Sequence, residues 1–478
     1  MTIELIGYIT LAAGIIGLFR EPSFLVYIYF GASLLGSAAA FILDSLGGTS
    51  VSPAHLILGF LALKLLSDRS ISQKAWDGVA PGRPGFWLLL TVIYSILSAY
   101  FMPILFAGQT FVFPVRITAN AITVILAPAV SNFTQSIYLI GDFVCFFVLY
   151  GYACDKVRAT TLGYAVIATA ILDLVFVGLD LVTYATGTAD LLSFIRNATY
   201  AILSDNEVAG FKRIVGSFNE ASSFGSVTLG YFAFTLKLWL LGIRPRLTLT
   251  LAILLLASLV CSTSTTAYVG LAVFLGFIYI EIVFRALLRP LTPQMAVFVF
   301  GVPIAGLIVI LSVALIDTYA TYIYDLANTM ILNKMATESG VERSGWNRQA
   351  FQVFFDTYGF GVGNGSLRAS SFPIAVLGSL GFIGTTLFTL FFIGLFFQRK
   401  GGYDSMTSAN RQAAKSACLA TLITVTISGA LTDIGLSFYL FAAIACSAPA
   451  LERKFRPVSV EGPGHGRRYY NWSGTSGG

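Results

Sequence analysis

Long apolar runs separated by short charged segments are the feature that most limits what this chain can fold into. A run of about 20 apolar residues can cross a bilayer as a helix. About 13 such runs can be drawn, and only 11% of the 478 residues are charged, against about 25% in soluble domains. The sequence therefore predicts an all-α integral membrane protein with about 12–14 transmembrane helices. The predicted spans are 3–19, 24–44, 53–66, 86–106, 131–154, 160–183, 223–241, 247–261, 266–284, 295–317, 373–397, 412–431 and 434–451.

Short basic segments give the expected orientation, because cytoplasmic loops of membrane proteins are enriched in Lys and Arg. The run at 3–19 is interpreted as a first span that begins outside, not as a cleaved leader. Residues 1–451 then form one transmembrane domain, and residues 452–478 form a cytoplasmic, disordered tail. The five segments that indicate the cytoplasmic side are 67–84, 155–160, 242–247, 285–294 and 398–411.

Eight of the 29 Lys and Arg residues fall in outer loops on this topology, against the usual bias. An anionic ligand at the outer surface would explain them. The net charge of +6 is spread over many loops and does not indicate nucleic acid. The eight residues are Arg116, Arg196, Lys212, Arg213, Lys334, Arg343, Arg348 and Arg368.

The largest outer loop, 318–372, is too long for a connector and is predicted to form a helical domain at the membrane surface. The pattern from Trp346 to Tyr358 predicts an amphipathic helix. Its polar stripe is Arg348, Gln352 and Asp356, and its apolar stripe is Trp346, Ala350, Val353 and Phe354.

Glycines recur at every second position after this helix, which either allows close backbone approach or exposes backbone amides to an anion. They are Gly359, Gly361, Gly363 and Gly365.

A second polar stretch precedes the span at 223–241. Arg213 is a candidate anion ligand there, and Glu220 is a candidate base for a sugar hydroxyl. A purely structural interpretation is also open, in which Asn219 or Ser222 caps the helix and Glu220 interacts with its dipole. The hydroxyl-rich run 262–266 is open to the same two interpretations, helix-end satisfaction or sugar binding.

Acidic residues inside the predicted spans favour a different function, because intramembrane carboxylates often mark transport pathways. They are Asp142, Asp173, Asp180, Glu281 and Asp317. The two histidines, His55 and His465, form no triad or metal cluster, and the five cysteines are interpreted as buried thiols.

These stretches resemble the O-antigen polymerase and O-antigen ligase superfamily of bacterial membrane proteins. Arg348, ten further residues and Gly359 match the family's Arg-x10-Gly pattern, and Gly361-Val-Gly363 matches the Gly-x-Gly that follows. The segment from Arg213 to Ser222 is similar to Arg-x-x-Gly-x-Phe-x-Glu-Pro-Ser, with alanine in place of the proline. Ser262-Thr-Ser264 resembles the family's short Ser-rich turn.

The resemblance implies a multi-spanning glycosyltransferase that uses undecaprenyl-diphosphate-linked oligosaccharides, with no metal and no cofactor. It implies a polymerase at the periplasmic face of the bacterial inner membrane. Ligases and many polymerases carry a histidine shortly after Gly-x-Gly, whereas the run after Gly365 here lacks one. The missing histidine counts against the ligase activity, and it leaves the catalytic base without a counterpart in the family motif.

We therefore expect a polymerase of surface polysaccharide, an exopolysaccharide or O-antigen. The lipid bilayer surrounds it, and chain-length regulator and export proteins are further expected partners. The alternatives are a flippase or transporter of lipid-linked oligosaccharide, an O-antigen ligase and a non-catalytic assembly component. Glu220 is the candidate base, with Asp356 as the alternative. Arg196 and Lys334, which lie in no motif, are interpreted as surface charges. The expected diphosphate ligands are Arg213, Arg348 and Arg368, followed by Arg343 and Arg116.

Overall fold

A computed structural model describes residues 2–44, 48–115, 123–199, 207–208, 211–315, 338–398 and 405–447. Helices dominate the described chain, as the apolar runs predict. In chain order the helices are α1 (Leu5–Phe19), α2 (Pro22–Ala32), α3 (Pro53–Leu66), α4 (Arg69–Gly78), α5 (Pro84–Leu105), α6 (Val130–Ala153), α7 (Lys156–Ala185), α8 (Ala221–Leu240), α9 (Pro245–Cys261), α10 (Thr265–Leu288), α11 (Pro293–Leu315), α12 (Glu338–Asp356), α13 (Phe372–Phe397), α14 (Ser405–Ser428) and α15 (Leu436–Cys446), with a 3₁₀ turn at Ala189–Ile195.

Short antiparallel strands connect some of these helices. The first sheet joins β1 (Thr2–Ile3), β2 (Phe41–Leu43) and β3 (Thr49–Val51), with Phe41 opposite Val51. The pairs β4 (Phe111–Val112) with β5 (Val124–Ile125), and β6 (Glu207–Val208) with β7 (Phe211–Lys212), are two-stranded.

Within the described residues, five helices are long and apolar enough to cross a membrane: α5, α6, α7, α10 and α13. Six shorter apolar helices accompany them, including α3 and α9, which cover the two shortest predicted spans. These helices identify an all-α, multi-pass membrane protein. The predicted loop domain 318–372 lies partly outside the described residues, and the predicted tail 452–478 lies wholly outside them.

The predicted span 24–44 is wrong in its second half. Helix α2 ends at Ala32, and Phe41–Leu43 is a strand. Ser37 explains the early end: its hydroxyl donates to the carbonyl oxygens of Ser217 (2.9 Å) and Ile195 (3.1 Å). These acceptors come from distant loops, so the apolar character of the segment does not reveal them. Because Ser217 lies just before α8, this segment supports the loop that carries Arg213.

Helix α8 lies at the centre of the bundle and is buried along nearly its whole length. It packs against α9, α10 and α14. At its first turn, a Cβ on Gly225 would lie 2.8 Å from the Cβ of Ala267, so α8 and α10 begin side by side. The polar residues at the starts of these two helices are therefore held at the same end of the bundle.

Candidate functional site

Four of the residues selected from the sequence lie at this end of the bundle and act on one another electrostatically. Glu220 is the N-cap of α8, and Arg213 lies in the loop that leads to it. Arg343 lies in the first half of α12, and Arg368 in the loop between α12 and α13. Glu220 and Arg343 each affect the pKa of both Arg213 and Arg368. We call Arg213, Glu220, Arg343 and Arg368 the arginine cluster.

Burial is the main influence on the two loop arginines. It lowers the pKa of Arg213, and the nearby Arg343 charge lowers it further, whereas Glu220 and Tyr268 raise it. Burial likewise lowers the pKa of Arg368, with Glu342 and Glu220 opposing and Arg343 adding to the effect. Arginine stays protonated at neutral pH despite such shifts. The cluster therefore keeps three cations in a partly desolvated place.

The guanidinium Nε–H groups of Arg213 and Arg368 are buried, and neither has a hydrogen-bond acceptor among the described residues. A buried donor without an acceptor costs about 1–3 kcal/mol, and more when it is charged. Arg196 and Arg285 have the same kind of donor, but Arg213 and Arg368 lie in one cluster with Arg343, an arrangement that suits an anion bound between them. Phosphate and carboxylate oxygens are the acceptors that arginine matches best.

Arg368 is fixed by its surroundings. Its backbone N–H donates to the carbonyl oxygen of Phe113 at 2.9 Å. Its guanidinium carbon lies 3.8 Å from the ring centroid of Trp346. Asn347, the next residue on α12, accepts the N–H of Ser370 at 2.7 Å. The loop is thus attached to α12 at Arg368 and again at Ser370.

Glu220 differs from the structural interpretation considered for the sequence. It occupies the N-cap of α8 itself, and no side chain caps this helix. Its carboxylate accepts a short hydrogen bond from the hydroxyl of Ser222. Capping by Asn219 or Ser222 is therefore wrong, and the Glu220 side chain remains half-buried beside Arg213.

The loop that carries Arg213 is held by a buried carboxylate that sequence reasoning had connected with transport. Asp180, near the end of α7, accepts from Arg196 at 2.6 Å and from Lys212 at 3.0 Å. Its second oxygen accepts the backbone N–H groups of Val215 (3.0 Å) and Gly216 (3.1 Å). The interpretation of Arg196 as a surface charge is wrong, because its side chain is only 7% exposed.

Two predicted site residues have no described contact with the arginine cluster. Arg348 is exposed, and no described contact joins it to the arginine cluster. Asp356 accepts from the Thr110 hydroxyl at 2.6 Å and from the Gln352 amide at 2.9 Å. The bond from Thr110 ties the end of α12 to the segment around β4. Arg116 and Lys334 lie outside the described residues.

The amphipathic helix predicted from Trp346 is confirmed, although α12 begins earlier and ends at Asp356. Its apolar stripe faces the interior, since Trp346, Ala350 and Val353 are buried.

The glycines that follow α12 allow close packing of the backbone. All four have positive φ, between 79° and 90°. A Cβ on Gly361 would lie 2.6 Å from the carbonyl oxygen of Ser379, and one on Gly363 would collide with that of Ser98. The N–H groups of Gly359, Gly361 and Gly363 already donate within the protein. Of the two interpretations, close approach is therefore the one observed, and these amides are not a free anion site.

The hydroxyl-rich run 262–266 satisfies helix ends. The Ser262 hydroxyl donates to the Leu259 carbonyl at 2.7 Å, and Ser264 caps α10 by accepting the N–H of Ala267. Tyr268, one turn into α10, reaches back to the Val260 carbonyl at 2.7 Å. This hydrogen bond joins α9 and α10 next to Arg213.

Most acids in the predicted spans are engaged by other side chains. Glu281 pairs with Lys237 at 2.6 Å, and Asp173 accepts from the Thr228 hydroxyl at 2.8 Å. Asp142 is buried, and one of its oxygens has no described partner. Asp317 lies outside the described residues. Asp173 also keeps one buried oxygen without a described partner, so Asp142 and Asp173 are the described candidates for proton or ion coupling.

Sequence reasoning missed three contributors to the cluster. Glu342 and Tyr268 affect the loop arginines, and Trp346 covers Arg368 although it had been selected only as an apolar residue. Trp346 lies one helical turn after Arg343, and this spacing is the only feature of the sequence that could have indicated its place beside the cluster.

In the described part of the chain, no group of His, Cys, Asp and Glu side chains could hold a metal ion. The chain matches no family model, and comparisons with curated proteins and solved structures find no significant match.

Proposed function

We propose that this protein is a bacterial surface-polysaccharide polymerase that joins undecaprenyl-diphosphate-linked repeat units at the periplasmic face of the inner membrane. The observation that carries the proposal is the arginine cluster, in which Arg213 and Arg368 each have a buried Nε–H without an acceptor among the described residues and Arg343 lies nearby. The motif resemblance supports the same choice of donor. The proposal includes about 12–14 transmembrane helices and a periplasmic position for α12.

The proposed reaction is a glycosyl transfer. The acceptor's sugar hydroxyl attacks the anomeric carbon of the donor, the bond to the phosphate oxygen breaks, and undecaprenyl diphosphate leaves. Negative charge grows on that oxygen, and Arg213, Arg343 and Arg368 stabilise it. Each charge-assisted hydrogen bond contributes about 1.5–3 kcal/mol, which is roughly 10- to 150-fold in rate if it forms only in the transition state.

Glu220 is the proposed acceptor of the hydroxyl proton. It follows Arg213 by seven residues in the same segment, and its effect on both loop arginines supports its place in the same cluster. The bond from Ser222 leaves one carboxylate oxygen to receive the proton. Asp356 is a weaker candidate because both of its oxygens accept from other side chains.

Polymer length is the measurement that tests the proposal. Purified protein in nanodiscs receives lipid-linked repeat units, and the products are resolved by size. We expect Arg213→Ala and Arg368→Ala to lower the rate about 10- to 150-fold each, and Glu220→Gln to be at least as severe. Arg348→Ala is the matched control, since it removes an arginine of α12 that is exposed and outside the cluster.

Two results would contradict the proposal. Wild-type protein that lengthens no chain would indicate an assembly component instead. Equal losses for Arg348→Ala and Arg213→Ala would show that the cluster has no special role. A flippase is separated by what cells accumulate when the gene is lost, because a flippase defect traps repeat units inside, whereas a polymerase defect still displays single units outside.

The flippase alternative has weaker support from the acids. It requires Asp142, Asp173 and Asp180 to line a cavity, but Asp180 binds two cations and two backbone amides. The ligase alternative retains the same diphosphate chemistry, and the absence of a histidine after the glycines counts against it.

A further inference from the structure

Arg368 and Trp346 are in close contact through the guanidinium and the indole ring. The guanidinium carbon is 3.8 Å from the ring centroid, which is van der Waals contact over the ring. Trp346 is only 8% exposed, and the ring of Phe113 packs against it at 6.5 Å in an edge arrangement. A cation over a desolvated tryptophan is the strongest form of this interaction.

Both partners are held on fixed elements, so the stack is not a chance meeting of two mobile side chains. Trp346 belongs to α12, whose buried stripe continues through Ala350 and Val353. Arg368 is held through its own N–H and through that of Ala369, which donates to the Ala430 carbonyl at 2.9 Å. The ring and the guanidinium therefore face each other before any ligand arrives.

The stack has a consequence for what Arg368 can bind. One face of the guanidinium is covered by the ring, and its buried Nε–H has no acceptor among the described residues. The edge of a guanidinium offers two parallel N–H groups that match two oxygens of a phosphate. A lysine ammonium has neither the flat face to stack nor the paired donors.

We propose that Trp346 is a positioning residue that holds Arg368 edge-on to the diphosphate of the donor lipid, so that the site requires arginine at this position. This inference rests on the proposed function. It adds a residue that the family motifs quoted above do not include. The competing explanation is that Trp346 only fills space in the apolar stripe.

Binding of farnesyl diphosphate tests the inference, with farnesol as the uncharged control. The full chain in nanodiscs is compared with Trp346→Phe, Trp346→Leu, Arg368→Lys and Arg368→Gln. We expect Trp346→Leu to weaken diphosphate binding about 3- to 30-fold and to leave farnesol binding unchanged. Trp346→Phe, which keeps an aromatic face, should lose less than Trp346→Leu. Arg368→Lys should bind about as weakly as Trp346→Leu.

A double-mutant cycle separates positioning from packing. If Trp346 acts through Arg368, adding Trp346→Leu to Arg368→Gln weakens diphosphate binding no further. An equal loss in both backgrounds overturns the inference. If Trp346→Leu does not fold, Arg368→Lys decides, because wild-type affinity in that variant also overturns it.

Failure of the inference is distinct from failure of the proposed function. Wild-type protein that binds farnesyl diphosphate no better than farnesol overturns both. Wild-type protein that prefers the diphosphate, with no response to the Trp346 variants, overturns only the role of Trp346.

Discussion

Replacing Asp180 by asparagine should destabilise the protein and loosen the loop that carries Arg213. In the wild type one carboxylate oxygen accepts from Arg196 and Lys212, and the other accepts two backbone N–H groups. Asparagine has nearly the same shape but no charge. The N–H groups of its amide would face N–H donors that now bind the carboxylate. The change therefore leaves two cations buried without their anion.

The expected size follows from the burial of the three charges. The side chains of Arg196, Lys212 and Asp180 are 7%, 5% and 1% exposed. Removing one partner of a buried ion pair costs about 3–5 kcal/mol, a large share of a total stability of about 5–15 kcal/mol. We expect the free energy of unfolding to fall by about 3–5 kcal/mol.

Asp173→Asn is the matched control. Asp173 lies on the same helix, seven residues earlier, and is 0% exposed, but its described hydrogen bond comes only from the hydroxyl of Thr228. Asparagine can still accept that bond, so we expect a loss of about 1 kcal/mol or less.

Unfolding in mixed detergent micelles measures the free energy, and hydrogen exchange of peptides covering 211–220 measures the loop. Faster exchange at Val215 and Gly216 should accompany the loss of stability in Asp180→Asn. If Asp180→Asn unfolds and exchanges like the wild type, or no worse than Asp173→Asn, the assignment of Asp180 as an anchor is refuted.

Two further changes test the packing with the same unfolding measurement. In Gly363→Ala the new Cβ would collide with the Ser98 carbonyl at a φ of 90°, which should cost about 3 kcal/mol or more. Gly82→Ala, at a φ of 84° with open space around it, should cost only about 1–2 kcal/mol of backbone strain. Equal losses in the two variants would contradict the close approach of Gly363 to Ser98. Glu281→Gln leaves Lys237, which is 5% exposed, without its anion and should cost about 1–3 kcal/mol. Lys237→Met leaves a glutamate that is 53% exposed and should cost less. A larger loss of stability in Lys237→Met than in Glu281→Gln would show that the lysine reaches water.

The positions of the long apolar helices could be predicted from the sequence. The predicted spans 86–106 and 131–154 correspond to Pro84–Leu105 and Val130–Ala153, because about 20 apolar residues in lipid have few alternatives to a helix. The span 24–44 failed because its end is determined by hydrogen bonds from Ser37 to other loops. Hydropathy describes a segment alone, whereas those acceptors lie about 160–180 positions away.

The candidate site was predictable in part, for reasons of helix geometry. Arg343 and Trp346 are three residues apart and share a face of α12, so both reach the loop that carries Arg368. Arg348 is five residues after Arg343, which turns it about 140° around the helix at 3.6 residues per turn. The motif selects Arg348 by its position in the sequence. The contacts of α12 show that the helix face with Arg343 and Trp346 meets the cluster.

The partners of the outer cations separate anchoring charges from candidate ligands better than their positions do. Arg196 and Lys212 are buried against Asp180, whose carboxylate offsets part of their charge. A buried Nε–H without a described acceptor is common to Arg196, Arg213 and Arg368, but of these three only Arg196 has a described carboxylate within ion-pair distance. Arg213 and Arg368 lie instead near Arg343, whose charge adds repulsion. Folding alone disfavours such an arrangement, because desolvated like charges oppose one another. An oxyanion bound between these arginines would supply acceptors and relieve the repulsion, which is why the cluster, and not the count of outer cations, supports the proposed diphosphate site.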